Sequence, residues 1–342
     1  MSMLQATTMR AVVLHAPGDL RVEQQPVPSP AAGEVRIAVA WGGICGSDLS
    51  YWRHGASGTA VQRHPLVLGH EIAGTVVELG EGVTGVELGD AVTVHPATVT
   101  GALPDELRGR DNLHPDLRYL GSAARDPHTQ GGFAEQLVVR AGQLRALPAG
   151  LSTRAAALAE PLGVALHAIE RSGGVAGRRV LVSGCGPIGA LIVAAAVHQG
   201  AEVTAIDPSE RARGIAASLG ATATLDLGEP VPDDFDVVFE ASGVGPAVST
   251  AIDAVRPGGV MVQVGNLPAE AVQARLGRLV SREIDLRGSY RFVDEISDAV
   301  AALAEGLDIG PVVSHEFGLD DLEQAFATAA DSRSSCKVLL RF

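Results

Sequence analysis

The sequence predicts an α/β protein of two parts, a mostly-β part first and a doubly wound parallel sheet after it. Two observations lead there. Up to about Gly150 the chain alternates short β-type runs with glycine and proline, whereas from about Ser152 Ala-rich helical stretches alternate with fully apolar strands. At 342 residues the chain also exceeds what one hydrophobic core supports, so two domains are expected.

In the first part the runs RAVVL, VRIAVA, IAGTVVEL and AVTVH read as strands, and residues 97–117 have no periodicity and read as an irregular lobe. In the second part RRVLVSG, EVTAID, DVVFEAS and VMVQVG read as buried strands separated by helices, the pattern of a parallel sheet covered on both faces. IDLRGSY continues the strand series. Helical segments at Asp294–Ala304 and Asp320–Ala329 follow, and the terminal KVLLRF reads as a strand that returns to the first part. VMVQVG suits either an edge strand that pairs subunits or an interior strand.

Composition narrows the function. A formal net charge of −14, with no Lys/Arg-rich block, excludes nucleic acid as a natural partner. Any anionic cofactor must then be held by local backbone dipoles. The apolar stretch around Ala190–Val197 is too short to span a membrane, and Met1–Arg10 carries no apolar signal region. Three scattered cysteines, Cys45, Cys185 and Cys336, do not make a disulfide framework. A cytoplasmic protein is expected.

The most informative motif is Gly184-Cys185-Gly186-Pro187-Ile188-Gly189, which follows the strand Arg179–Ser183 and opens the helical stretch Ala190–Gln199. That context is what a dinucleotide site needs. Gly184 permits the turn, Gly186 lets backbone approach the pyrophosphate, Gly189 lets helix and sheet pack closely, and the helix N-terminus attracts phosphate. Asp207, eighteen residues after Gly189, ends the next strand and suits the ribose hydroxyls of NAD. Arg211 and Arg213 leave NADP open. Cys185 reads as a packed small side chain.

Cys45 in GGICGSD, His70 in LGHE and Glu160 in AEP each suit zinc. Thiolate, imidazole and carboxylate from three segments would leave a tetrahedral position open, as a catalytic zinc requires. Taken singly, each also has an ordinary role: a buried small residue, a loop histidine, a helix-start carboxylate.

The order CGSD, GHEIAGTVVELGEGVTGVELGDAV, GGFAEQLVV, AEPL and GCGPIG resembles the medium-chain zinc alcohol and polyol dehydrogenases over nearly the whole chain. The resemblance implies a GroES-like mostly-β catalytic domain over residues 1–152 and 292–342 and a Rossmann cofactor domain over residues 153–291, with the active site between them. Glutamate at 160, where alcohol dehydrogenases commonly carry cysteine, points to the sorbitol-dehydrogenase-like branch. GGICGSDL, RYLGSAARDPHTQGGF, GVMVQVG and LRGSYRF resemble the members of that branch that oxidise L-idonate, a sugar acid, to 5-keto-D-gluconate.

The resemblance also carries roles over to matching positions. Cys45 and His70 would bind one catalytic zinc, with Glu160 bound directly or through water and Glu71 approaching transiently. Asp48 would orient His70 by a hydrogen bond, Ser47 would relay the substrate proton, and Tyr51 would position substrate or water. Arg118, His128 and Arg291 are candidates for a substrate carboxylate, with loop-stabilising or interface roles as their alternatives. The four closely spaced cysteines of the family's structural zinc are missing from residues 97–117, so a single zinc is expected, and His95 and His114 do not replace them. A homodimer or homotetramer is the family expectation. The competing readings are a neutral-polyol dehydrogenase, a zinc-free quinone or enoyl reductase on the same fold, and a non-enzymatic NAD-binding protein.

Overall fold

The computed structural model describes residues 7–342; the first six, where a leader would begin, lie outside the described residues. The chain forms two compact units, one of residues 1–160 and 313–342, the other of residues 161–312.

The first unit is built on a seven-stranded sheet. Its centre is the strand Glu34–Gly43, which pairs antiparallel with Glu71–Leu79, with Gln136–Arg140 and, at its far end, with the terminal strand Lys337–Arg341. Leu339 lies opposite Gly43, so the tail completes this sheet, and its other neighbour is the parallel strand Val313–Gly318. Alternating apolar positions such as Val35, Ile37 and Val39 face a common core with Leu14, Phe133 and Phe326. The run AVTVH forms the strand Ala91–Val94, and RAVVL lies inside Thr8–Ala16. The irregular lobe carries two short 3-10 turns, Asp105–Leu107 and Asp111–Leu113.

The second unit is a six-stranded, wholly parallel sheet. From edge to edge its strands are Ala223–Leu225, Glu202–Ile206, Arg179–Ser183, Phe235–Glu240, Val255–Gln263 and Asp285–Gly288. This is the 3-2-1-4-5-6 order of a Rossmann fold, which reverses direction at the first strand. The strands read as unbroken apolar runs because both faces are covered: Val180, Leu181 and Val182 are all fully buried. Val260–Gln263 of VMVQVG lie in the strand Val255–Gln263, paired on both sides, and Asp285–Gly288 forms the edge, so the interior reading of VMVQVG holds and the edge reading does not. The helix Glu295–Ala304 belongs to this unit, its start backing onto Gly163. Among the described residues no helix is long and apolar enough to cross a membrane, and the three cysteines are free thiols.

Candidate metal and cofactor sites

The candidate metal site lies in the first unit, where three local structures converge. Cys45 is the N-cap of the helix Gly46–His54, and Asp48, in that helix's first turn, accepts a hydrogen bond from the Cys45 N–H at 2.9 Å. Cys45 is thereby fixed at the N-terminal end of that helix. The second oxygen of Asp48 accepts from the Gly69 N–H at 3.2 Å, so one buried carboxylate ties together the backbones beside both Cys45 and His70. Gly69 has φ +94, and a Cβ there would fall 2.1 Å from the Phe133 ring; only glycine lets the chain turn there and present His70.

The ligand atoms of Cys45, His70 and Glu71 lie within 4.8 Å of one another. His70 and Glu71 are buried, and the Asp48, His70, Glu71 and Glu160 group is packed where water cannot screen its charge. Burial alone would lower the pKa of His70, yet Cys45, Asp48 and Glu160 outweigh it and push it up to about 10. Burial raises both Asp48 and Glu160 against the pull of His70. A pocket that draws positive charge this strongly, with sulfur, nitrogen and oxygen donors close together, has the donor chemistry of a zinc site.

The geometry departs from the sequence expectation in three details. Asp48 does not hydrogen-bond His70: its Oδ1 lies 4.0 Å from Nδ1, because both of its oxygens serve backbone N–H groups. Glu71, expected only as a transient visitor, is the carboxylate grouped with Cys45 and His70. Glu160, in the first turn of the helix Ala159–Ser172, instead accepts a 2.5 Å hydrogen bond from the Tyr119 hydroxyl.

Two residues of this site escaped the sequence reading. Lys337 places Nζ 2.6 and 2.9 Å from the Glu71 oxygens and donates to the Ile44 carbonyl at 3.1 Å, at 2% exposure. Burial pushes Lys337 down, but Glu71 and Cys45 outweigh it and the net shift is upward, so the ammonium stays charged. Tyr119 is the other, its ring edge-on to His70. A lone lysine opening a terminal strand and a tyrosine in a two-residue strand carry no local pattern.

Around this group, Ser47 is half-buried in the first turn of its helix. Tyr51 is buried, and its hydroxyl accepts from the Ala123 N–H at 3.0 Å, which fastens the helix to the following loop. His128 is committed to the same loop. Its Nε2 accepts from the Arg63 and His64 N–H groups at 2.8 and 3.2 Å, and its Nδ1 lies 2.9 Å from the Arg125 carbonyl. Both ring nitrogens being taken, His128 stabilises the loop rather than reading a substrate carboxylate. Arg118 gives one N–H to the Pro127 carbonyl at 3.1 Å.

The candidate cofactor site lies wholly within the second unit. After the strand Arg179–Ser183 the chain turns at Gly184, with φ +92, and Gly186 becomes the N-cap of the helix Pro187–His198 with Pro187 in its first turn. No side chain caps that helix, and a Cβ at Gly186 would meet open space, whereas one at Gly189 would fall 1.8 Å from the Gly184 carbonyl oxygen. Ile188 lies in the same uncapped first turn, so its amide is among those without an intrahelical partner. Cys185 is buried.

Asp207, just past the strand Glu202–Ile206, accepts from the Cys185 N–H and the Ser209 N–H, each at 2.8 Å. It therefore braces the glycine turn from below. Arg213 is occupied, donating to the Asp207 carbonyl and pairing with Asp226, while Arg211 is half-buried in the helix Glu210–Ser218. Arg291 has φ 54, and its guanidinium lies 4.9 Å from the Tyr290 ring centre.

Residues 31–149 match the alcohol dehydrogenase GroES-like domain, and residues 187–305 match the zinc-binding dehydrogenase domain. The chain is a medium-chain zinc-binding dehydrogenase. It is 38% identical over 323 residues to L-idonate 5-dehydrogenase (NAD(P)(+)) of Escherichia coli K12, covering 90% of this chain and 91% of that protein. It is 35% identical over 332 residues to sorbitol dehydrogenase of Gallus gallus, covering 93% and 92%. Among solved structures, E. coli L-idonate 5-dehydrogenase superposes with a TM-score of 0.93 at 34% identity, covering 98% of each chain. The 2R,3R-butanediol dehydrogenase of Bacillus subtilis gives 0.89 at 32% identity, covering 98% and 99%. The dehydrogenase thus belongs to a zinc-dependent polyol and sugar-acid group whose members use NAD(P).

Proposed function

We propose that this dehydrogenase oxidises a secondary hydroxyl of a small sugar acid or polyol, with L-idonate to 5-keto-D-gluconate as the favoured reaction and NAD as the favoured acceptor. The observation that carries the reading is the convergence of half-buried Cys45 with buried His70 and a buried carboxylate, in a chain that also holds an uncapped glycine turn braced by Asp207.

Cys45 and His70 would hold the zinc, with Glu160 or Glu71 as the third donor. The bound ion supplies Lewis acidity that lowers the pKa of the substrate hydroxyl. The chain's own residues do the rest. Asp48 holds the two ligand backbones in place, and Tyr119 orients Glu160. Lys337 holds Glu71 by two hydrogen bonds. Ser47, in the first turn of the helix capped by Cys45 and half-exposed, would pass the hydroxyl proton outward. Tyr51 keeps the helix bearing Cys45 and Ser47 against its loop.

In the cofactor unit the Gly186, Ile188 and Gly189 amides would receive the pyrophosphate, and the Asp207 carboxylate would receive the adenine-ribose hydroxyls. A 2′-phosphate would meet that carboxylate, which favours NAD, and Arg211 is the residue that would soften the preference. For a sugar acid, Arg118 and Arg291 carry the guanidinium groups suited to the carboxylate.

The test is reduction of NAD and of NADP with L-idonate, sorbitol, xylitol and ethanol in parallel, before and after chelation and zinc restoration. Preference for L-idonate with zinc-dependent recovery supports the reading. Turnover of neutral polyols alone removes the sugar-acid assignment, and activity that survives chelation removes the metal assignment.

A further inference from the structure

A second group of metal-binding side chains lies inside the parallel-sheet unit. His167 and Glu170 stand one turn apart on the helix Ala159–Ser172, and Glu295 opens the helix Glu295–Ala304. The imidazole nitrogen and the two carboxylate oxygens all lie within 4.8 Å of one another. His167 and Glu295 are buried, while Glu170 is exposed and leaves the group open on one side.

The geometry is held from behind. Glu295 Oε2 accepts from the Val293 and Asp294 N–H groups at 2.6 and 3.0 Å, and Oε1 lies 2.5 Å from His167 Nδ1. Backbone donors of this kind fix the direction of a ligating carboxylate. A carboxylate oxygen of Glu170 lies within 4.8 Å of one of Glu295, and Asp298, three residues further along the Glu295–Ala304 helix, adds negative charge. Two carboxylates this close to one imidazole together attract a cation. Nitrogen and oxygen donors without sulfur suit a borderline divalent cation such as zinc or manganese, whose remaining positions water fills from the open side.

We propose that His167, Glu170 and Glu295 form a second divalent-cation site, separate from the Cys45 group, whose occupation pins the helix Ala159–Ser172 to the start of the Glu295–Ala304 helix. Binding releases into solvent the proton that joins His167 Nδ1 to Glu295 Oε1 and puts the ion in its place. The site is structural, and it is independent of the four-cysteine pattern missing from residues 97–117.

The experiment uses the full chain, stripped with a chelator and returned to Zn²⁺ by equilibrium dialysis, with bound zinc counted by mass spectrometry. Wild type is expected to take up two ions per chain. Glu170→Gln, a change at an exposed position that keeps the fold, is expected to weaken one of them by about 10–100-fold and leave the other unchanged. With Co²⁺, the ion lost in E170Q should contribute visible bands without a sulfur-to-cobalt charge-transfer band, because its ligands contain no sulfur. Uptake of one ion by wild type overturns the proposal. Uptake of two ions by both wild type and E170Q, or loss of the sulfur band in E170Q, overturns it equally.

Discussion

Replacing Lys337 by methionine tests whether the candidate metal site depends on a fixed internal cation. The ammonium is 2% exposed and touches both oxygens of Glu71, so the neutral side chain would leave that carboxylate buried beside Cys45 and His70 without its hydrogen-bonded cation. Removing one partner of a buried ion pair typically costs about 3–5 kcal/mol. For a domain of this size each kcal/mol is worth about 2–4 °C in Tm, which makes the expected drop about 6–20 °C. The assay is a thermal scan of the metal-free protein as a double-mutant cycle with Glu71→Gln. K337M should be the least stable of the four proteins, and K337M/E71Q should recover part of the loss, because the stranded charge is gone. A K337M protein within about 1 kcal/mol of wild type, or a double variant whose loss is simply the sum of the two single losses, would refute the reasoning.

Three further outcomes follow from the same geometry. Tyr119→Phe removes the 2.5 Å donor to Glu160, and zinc affinity measured by chelator competition should fall about 10–100-fold while the fold persists. Gly189→Ala puts a methyl group 1.8 Å from the Gly184 carbonyl oxygen; overpacking of about 1–3 kcal/mol should weaken NADH binding, followed by fluorescence, about tenfold or more. Asp236 takes hydrogen bonds from Arg256 and the Arg179 N–H; burial pushes its pKa up, but these contacts hold it below its ordinary 3.8. Its stabilisation is therefore present above pH 3.8 and lost as pH falls through the lowered value, so Asp236→Asn should destabilise by about 1–2 kcal/mol at pH 7 and by much less in acid.

The parts of this molecule that were legible in the sequence are those with short-range physical causes. The parallel sheet showed itself because strands covered on both faces must be apolar throughout, as in RRVLVSG. The cofactor turn showed itself because positive φ at Gly184 and the close approach at Gly189 both demand glycine. Cys45, His70 and Glu160 were found as candidates only through the order of several motifs, since no local rule distinguishes them from packed residues. Lys337 and Tyr119 stayed hidden for a different reason. Their significance comes from pairing across 266 and 41 residues of sequence, to Glu71 and Glu160, and no periodicity records such a pairing. His128 was over-read for the same reason: only the fold reveals that two backbone N–H groups already occupy its Nε2.

The charge balance of the metal site explains why the terminal strand matters to it. Asp48, Glu71 and Glu160 are buried with Cys45 around one imidazole, an arrangement too rich in negative charge to be stable without cations. Lys337 pairs with Glu71, and backbone N–H groups satisfy both oxygens of Asp48, which leaves Cys45, His70 and Glu160 as the donors not tied to those partners. The tail therefore contributes more than an extra strand. By bringing Lys337 to Glu71, it supplies a fixed positive charge inside the cluster of carboxylates that surrounds His70.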